Sequence, residues 1–385
     1  MDRVKNTRAD NRMISMKTVK MNAALLVLLV AIPIRGQQAA PVSNPSDAEP
    51  YDMLVLGDSI TWGQGLRKEH KAWYQVKVWL ERQTGRPVVE RVEAHSGAVI
   101  DGGPSRDIKT PNDAEVNLGF PDINQEVDNA LRFYSDGSRV DLVLISGCGN
   151  DVGTENFLNA ENSDELNRMT EQKCRPLMET LLRKVTTSFP ASQVIVVGYY
   201  PFFSENTPND LVTRTLARKL FKTANPGAPK MHSKQIFERL AVNSREWYRA
   251  SDKSLAEAVR KINAELGTER VAFAKLDFLP EYSFAAKETR LWGFKRSPFR
   301  LLLVFLSLGK IQLPTNDEMR RQRQTSCDVF YKAPPDETTE QKRVRQSRRL
   351  LCRYAALGHP NRRGAILYAN AIVEVLKKSL AITTR

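Results

Sequence analysis

The chain has 385 residues, 41% hydrophobic and 26% charged, enough to bury one large or two average cores and too apolar for an intrinsically disordered chain. Its formal net charge is +14; residues 1–40 hold seven Lys/Arg and two Asp/Glu, so about +9 belongs to the rest. The densest basic stretch, "KRVRQSRRLLCR" (342–353), lacks interleaved aromatics or any nucleic-acid module. It argues against a nucleic-acid partner and reads as a solvated helix face, with attraction to anionic lipid or polysaccharide as the alternative.

Residues 1–20 carry Arg3, Lys5, Arg8, Arg12, Lys17 and Lys20 against Asp2 and Asp10, and the apolar run "AALLVLLVAIPI" (23–34) follows. A basic start, an apolar stretch and the small and polar exit "RGQQAAP" mark residues 1–40 as a signal peptide, with an uncleaved anchor as the alternative. The apolar run is shorter than the roughly 20 residues that span a bilayer. Residues 41–50 read as a Pro/Ser linker, and residues 51–385 as the folded body. The expected location is outside the cytoplasm, secreted or periplasmic. Four cysteines suit an oxidising compartment. Of the three pairings, Cys327 with Cys352 is favoured, closing a loop in a charged, Pro-containing segment, and Cys148 with Cys174 is then the second. Their spacings do not resemble a metal site, and no metal or cofactor is expected.

Strands are expected at 52–58, 88–96, 140–147, 192–200 and 270–278, because each is a short run rich in Val, Ile and Leu. Helices are expected near 70–83, 123–134, 163–188, 241–266 and 361–380. Apolar strands alternating with helices predict a mainly parallel five-stranded sheet covered on both faces, a three-layer α/β/α domain. Two insertions, 203–240 and 279–355, start at strand ends, where ligand crevices of such sheets lie. The second contains the apolar run "FRLLLVFLSLGKIQL" (299–313), read as a buried element of the insertion or as an acyl-binding or interfacial wall.

Four stretches sit where such sheets carry chemistry. "GDS" (57–59) ends the first strand with Ser59, a helix cap or a nucleophile. "AHSGAVI" (94–100) ends the second with Gly97, whose N–H can approach a ligand unobstructed. "LVLISGCGNDVG" (142–153) ends the third with Asn150, an amide donor. "ALGHPNRRGAILYANAI" (356–372) puts His359 just before the last helix. A serine, a base and donors for an oxyanion are the parts needed for acyl transfer.

In this order the four stretches resemble the SGNH/GDSL hydrolase family, with "GDSITWG" and "GHPNRRG" specific in combination. The resemblance spans about 51–202 and 356–380 and implies a flavodoxin-like fold and ester hydrolysis. Its substrates would be lipids, acylated glycans or small-molecule acyl esters, with peripheral contact to a membrane or cell surface left open. It makes Ser59 the nucleophile and His359 its base. The N–H groups of Ser59 and Gly97 and the Asn150 amide would form the oxyanion hole. Asp58 would orient the turn, and Asp151 would tie down its loop. Two positions depart from the pattern: Ala356 stands where an acid usually orients the histidine, and Cys148 stands where a glycine is usual. A carboxylate from the second insertion (Asp328 or Asp336), a main-chain carbonyl, or loss of catalysis would each answer the first. The alternatives to a lipase-like esterase are thus a carbohydrate O-deacetylase and a catalytically weak binding protein. His70 and His232 are expected in solvent and His95 packed at its strand end. "GYYPFF" (198–203) is expected to wall the crevice or fill the core.

Overall fold

A computed structural model describes residues 49–103, 115, 116, 118, 120–157, 163–224, 231–295 and 313–383. The signal-peptide segment and nearly all of the apolar run 299–313 lie outside the described residues. Five strands, β1 (Tyr51–Leu56), β2 (Val88–Val92), β3 (Val140–Ile145), β4 (Gln193–Val197) and β5 (Val271–Ala274), form one sheet in the order β2-β1-β3-β4-β5. Every neighbouring pair is parallel. Chain order reverses direction at β1, with β2 on one side and β3 on the other, so a crevice opens beyond the carboxyl ends of these strands.

The helices are α1 (Ser59–Trp62), α2 (Ala72–Thr84), α3 (Ile123–Tyr134), α4 (Gly149–Val152), α5 (Thr154–Phe157), α6 (Ser163–Ser188), α7 (Leu211–Ala224), α8 (Ser233–Leu266), α9 (Arg320–Phe330), α10 (Thr339–Arg353) and α11 (Arg362–Thr383). β1 is buried along its whole length and β3 nearly so, which requires cover on both faces. The layer of α2 and α11 covers one face, and α3, α6 and α8 cover the other. The sequence of α3 shows why it docks: Ile123, Val127, Ala130 and Tyr134 recur at helical spacing and are all buried, while Asp122 caps the start by accepting the Gln125 N–H. Among the described residues, no helix is long and apolar enough to cross a membrane.

Several boundaries differ from those expected. The strands stop three to four residues early at β2, β4 and β5, because the chain leaves the ladder to form the loops of the crevice. Helix α8 begins at Ser233 rather than near 241, and α7 also lies in the first insertion, so much of its described part is helical. The second insertion holds α9 and α10, joined by the Cys327–Cys352 disulfide. The other disulfide links Cys148, just after β3, to Cys174 in α6. His70 is not in solvent: it is half-buried, and its Nδ1 lies 2.9 Å from Glu318 Oε2. Arg67 N–H binds the same carboxylate oxygen, which ties this loop to the second insertion. His232 is exposed.

Candidate active site

At the end of β1 the chain turns through Gly57, whose φ of 116° belongs to the left-handed region. A Cβ there would stand 2.2 Å from the Ser146 carbonyl oxygen, so only glycine allows β1 and β3 to approach so closely. The next residue, Asp58, is the N-cap of α1: its Oδ1 accepts the Ile60 N–H at 2.9 Å. Ser146 Oγ donates to Oδ1 at 2.6 Å, and Tyr199 donates to Oδ2 at 2.6 Å. Burial raises the Asp58 carboxyl above its ordinary range, while these bonds pull it back. Capping is therefore the work of Asp58, and Ser59 is left as the first helical residue with its hydroxyl uncommitted to the helix.

That hydroxyl meets His359. Ser59 Oγ lies 2.7 Å from His359 Nε2, across 300 residues of sequence. The histidine loop is built to hold this contact. Gly358 has φ 80°, and a Cβ on it would fall 1.8 Å from Phe202 Cε2. Its N–H donates to Trp292 O at 2.9 Å, and its carbonyl accepts the Tyr200 hydroxyl at 2.8 Å. Trp292 N–H in turn donates to His359 O at 2.7 Å. The "GYYPFF" stretch thus both packs and clamps: Tyr199 holds the serine turn, and Tyr200 and Phe202 hold the histidine loop.

His359 Nδ1 is buried and, among the described residues, has no hydrogen-bond partner. Asp328 is instead bound by Arg349 and Arg353, and Asp336 is exposed. Main-chain groups of Ala355 and Leu357 lie close enough to favour the protonated ring without completing a hydrogen bond to Nδ1 among the described residues. Burial lowers the imidazole to about 4; the Arg323 charge adds to this, and main-chain groups of Ala355 and Leu357 and the Asp317 charge oppose it. The ring is therefore neutral, as a base must be, over nearly all of the physiological range.

The two flanking loops supply donors. Gly97 has φ 86°, and among the described residues neither its N–H nor that of Ser59 has a hydrogen-bond partner. Asn150 Nδ2 donates to Ala98 O at 2.7 Å, which commits one of its two protons to joining the loops. Asp151 joins them again, its carboxylate accepting the Ile100 N–H at 2.9 and 3.1 Å. Burial pushes its pKa up to about 6. Cys148 sits at φ 92°, a conformation that favours glycine, and its disulfide anchors it to α6. Gly149 N–H then donates to the Tyr199 hydroxyl, so one tyrosine couples this loop to Asp58.

Sequence reasoning passed over Ser146, Glu126 and the pair Asp317–Arg323. Glu126 is fully buried and accepts the Gly57 N–H through Oε2 at 2.6 Å. Its Oε1 lies 2.9 Å from Nδ1 of His95, which is itself buried beneath the serine turn. An acid on the apolar stripe of α3 was the available signal. Asp317 and Arg323 gave none, since their meeting depends on how the second insertion folds. Among the described residues, no group of three or more His, Cys, Asp or Glu side chains is arranged to hold a metal ion.

A family model described as GDSL-like Lipase/Acylhydrolase family matches residues 55–292. Similar solved structures include an extracellular lipase from Streptomyces rimosus, 15% identical, covering 63% of this chain and 87% of that one with a TM-score of 0.38. Phospholipase A1 from Streptomyces albidoflavus NA297 is 17% identical, with coverages of 65% and 89% and a TM-score of 0.38. A Clostridium thermocellum family 3 carbohydrate esterase is 18% identical, with coverages of 61% and 81% and a TM-score of 0.30. No curated protein matches the chain.

Proposed function

The chain belongs to the GDSL-like lipase/acylhydrolase family, and from that premise we propose that it is an exported serine ester hydrolase acting through an acyl-enzyme on Ser59. The observation that carries this reading is the 2.7 Å contact between Ser59 Oγ and His359 Nε2. As Oγ bonds to the ester carbonyl carbon, its proton passes to Nε2. The N–H groups of Ser59 and Gly97, with the remaining Asn150 proton, receive the oxyanion; one such donor is worth about 3 kcal/mol in the transition state. Collapse expels the alkoxide, which takes the proton from Nε2. Water then repeats the sequence on the acyl-enzyme, releasing the acid and restoring Ser59. Two disulfides support export, since such bonds persist in oxidising compartments. Substrates of this class are lipids, acylated glycans or small-molecule acyl esters.

A fluorophosphonate probe is expected to label Ser59 stoichiometrically in the wild type and not in Ser59→Ala. Across a series of nitrophenyl esters of increasing acyl length, Ser59→Ala is expected to lose activity by about 10⁴-fold or more. The partnerless Nδ1 of His359 favours one second reading, a weakly catalytic ester-binding protein. Tight ester binding without turnover, equal in wild type and Ser59→Ala, would establish that alternative and defeat the first.

A further inference from the structure

The Tyr199 hydroxyl is buried where three strand ends meet, and the chemistry above gives it no task of its own. Tyr199 follows β4 by two residues, and β3 separates β4 from β1 in the sheet. Its side chain therefore reaches across the end of β3 to the serine turn. Its one proton goes to Asp58 Oδ2 at 2.6 Å, and its oxygen accepts the Gly149 N–H at 2.9 Å. Asp58 precedes the nucleophile and caps its helix, and Gly149 precedes Asn150. The ring has little freedom. A Cβ on Gly149 would stand 3.1 Å from both the Tyr199 Cε1 and its hydroxyl oxygen, so the ring lies directly against that backbone. Trp247 of α8 packs on it as well, with ring centroids 5.2 Å apart, and both side chains are buried. The ladder of β3 does not by itself fix where Asn150 stands. Ser146 binds Asp58 at the strand end, but Gly147 and the left-handed Cys148 intervene before Gly149.

We propose that Tyr199 is a positioning residue of the oxyanion hole: its hydroxyl sets the distance between the serine turn and the loop that presents Asn150. The assignment rests on the esterase reading and adds to it a residue that acts through Asn150 rather than on the ester. Tyrosine suits the place because its hydroxyl donates to one loop and accepts from the other, whereas phenylalanine keeps the ring and does neither. Asn150 already commits one amide proton to Ala98 O at 2.7 Å, so a single remaining proton must find the oxyanion. A small shift of Gly149 then weakens that bond, which matters most once negative charge has formed on the oxygen. The bound ester before attack gains little from the same proton, so the loss falls on kcat rather than on KM.

The test is a double-mutant cycle between Tyr199→Phe and Asn150→Ala, read as kcat and KM on a soluble nitrophenyl ester. Each kcat is taken per mole of serine that the fluorophosphonate labels at completion, so unfolded material is not counted. Tyr199→Phe is expected to lower kcat about tenfold with KM nearly unchanged, and Asn150→Ala to lower kcat about a hundredfold. The double variant is expected to match Asn150→Ala, because the hydroxyl then has no donor left to position. Tyr368→Phe is the control: it removes a buried hydroxyl bonded to Gly198 O at 3.0 Å, beside the same strand end, and is expected to keep the wild-type kcat. An unchanged kcat in Tyr199→Phe, a rise in KM alone, an equal loss in Tyr368→Phe, or the same loss with and without the Asn150 amide overturns the proposal. If Tyr199→Phe fails to fold by circular dichroism, Gly149→Ala takes its place in the cycle, since its methyl displaces the ring while the hydroxyl stays. A loss confined to the background that keeps Asn150 then supports the proposal, and an equal loss in both rejects it. A wild-type protein that neither hydrolyses esters nor takes the fluorophosphonate label would instead defeat the parent reading.

Discussion

Glu126 does for the serine turn what a main-chain partner does elsewhere, because Gly57 N–H has left the ladder and is sealed from water. Burial drives this carboxyl well above its ordinary range and lowers His95 to about 4, so both groups are biased toward their uncharged forms. A carboxyl whose pKa is raised by folding binds its proton more tightly in the native state. Its contribution is full below the unfolded pKa and is lost as pH rises toward the folded value. Glu126→Gln mimics the neutral acid: the amide oxygen accepts the Gly57 N–H, and the amide nitrogen donates to His95 Nδ1. Urea unfolding is expected to give Gln and wild type similar stability near pH 4 and a growing advantage to Gln toward pH 8. His95 adds the opposite slope between about 4 and 6.5, but both proteins share it, and it cancels in the comparison. Glu126→Leu leaves the amide and the imidazole unpaired and is expected to cost about 2–4 kcal/mol. A Gln variant that tracks wild type at every pH would show that the carboxyl is ionised in the native state.

Sequence periodicity located the elements well where packing and local pattern agree, as in α3 and α6, and drew strands too long where they do not. Residues 93–96 look like strand, yet they form the crevice loop, with the Glu93 and Ala94 N–H groups both turning to the Val55 carbonyl. Cys148 is a sharper case, for its left-handed backbone is invisible in the sequence of β3 and is explained only by the turn that presents Asn150. Cys174→Ala is expected to lower stability by about 2–4 kcal/mol through loss of the cross-link. Adding Cys148→Gly should recover about 1 kcal/mol, because glycine adopts this φ without a side-chain clash. Adding Cys148→Ala should recover nothing, since alanine retains that clash. Thermal melts and the rate of fluorophosphonate labelling read the two effects separately. Equal stability of the Gly and Ala double variants would remove the backbone argument and leave the cross-link alone.

Across the whole molecule, alternation of strand and helix was enough to foresee a parallel sheet, and therefore which loops share one edge. It could not foresee the pairing of Asp317 with Arg323, because that requires the path of an insertion with no periodic relation to the sheet. A second long-range feature follows from the topology itself. Helices α6 and α8 each precede a parallel strand, so they must run parallel to one another. Ion pairs at a constant offset record this: Glu171–Lys253 at 2.7 Å, Arg175–Glu257 at 3.2 Å, Glu179–Lys261 at 2.6 Å and Arg183–Glu265 at 2.7 Å, all 82 residues apart. Three of the four rungs are largely exposed, where entropy and salt screening leave little net stabilisation. The Glu179 side chain is only 8% exposed, and it also binds Arg175 at 2.9 Å and Arg183 at 3.7 Å, so its removal takes one shared partner from three cations beside a covered site. Glu179→Ala is accordingly expected to cost about 1 kcal/mol, and Glu171→Ala to leave the melting temperature almost unchanged. Raising salt to 1 M should erase most of any difference contributed by the outer rungs while leaving part of the Glu179 effect, because burial shields that carboxylate from mobile ions. Equal losses at Glu171 and Glu179, falling together with added salt, would mean that the ladder acts as one exposed strip of charge and that burial at its centre contributes nothing.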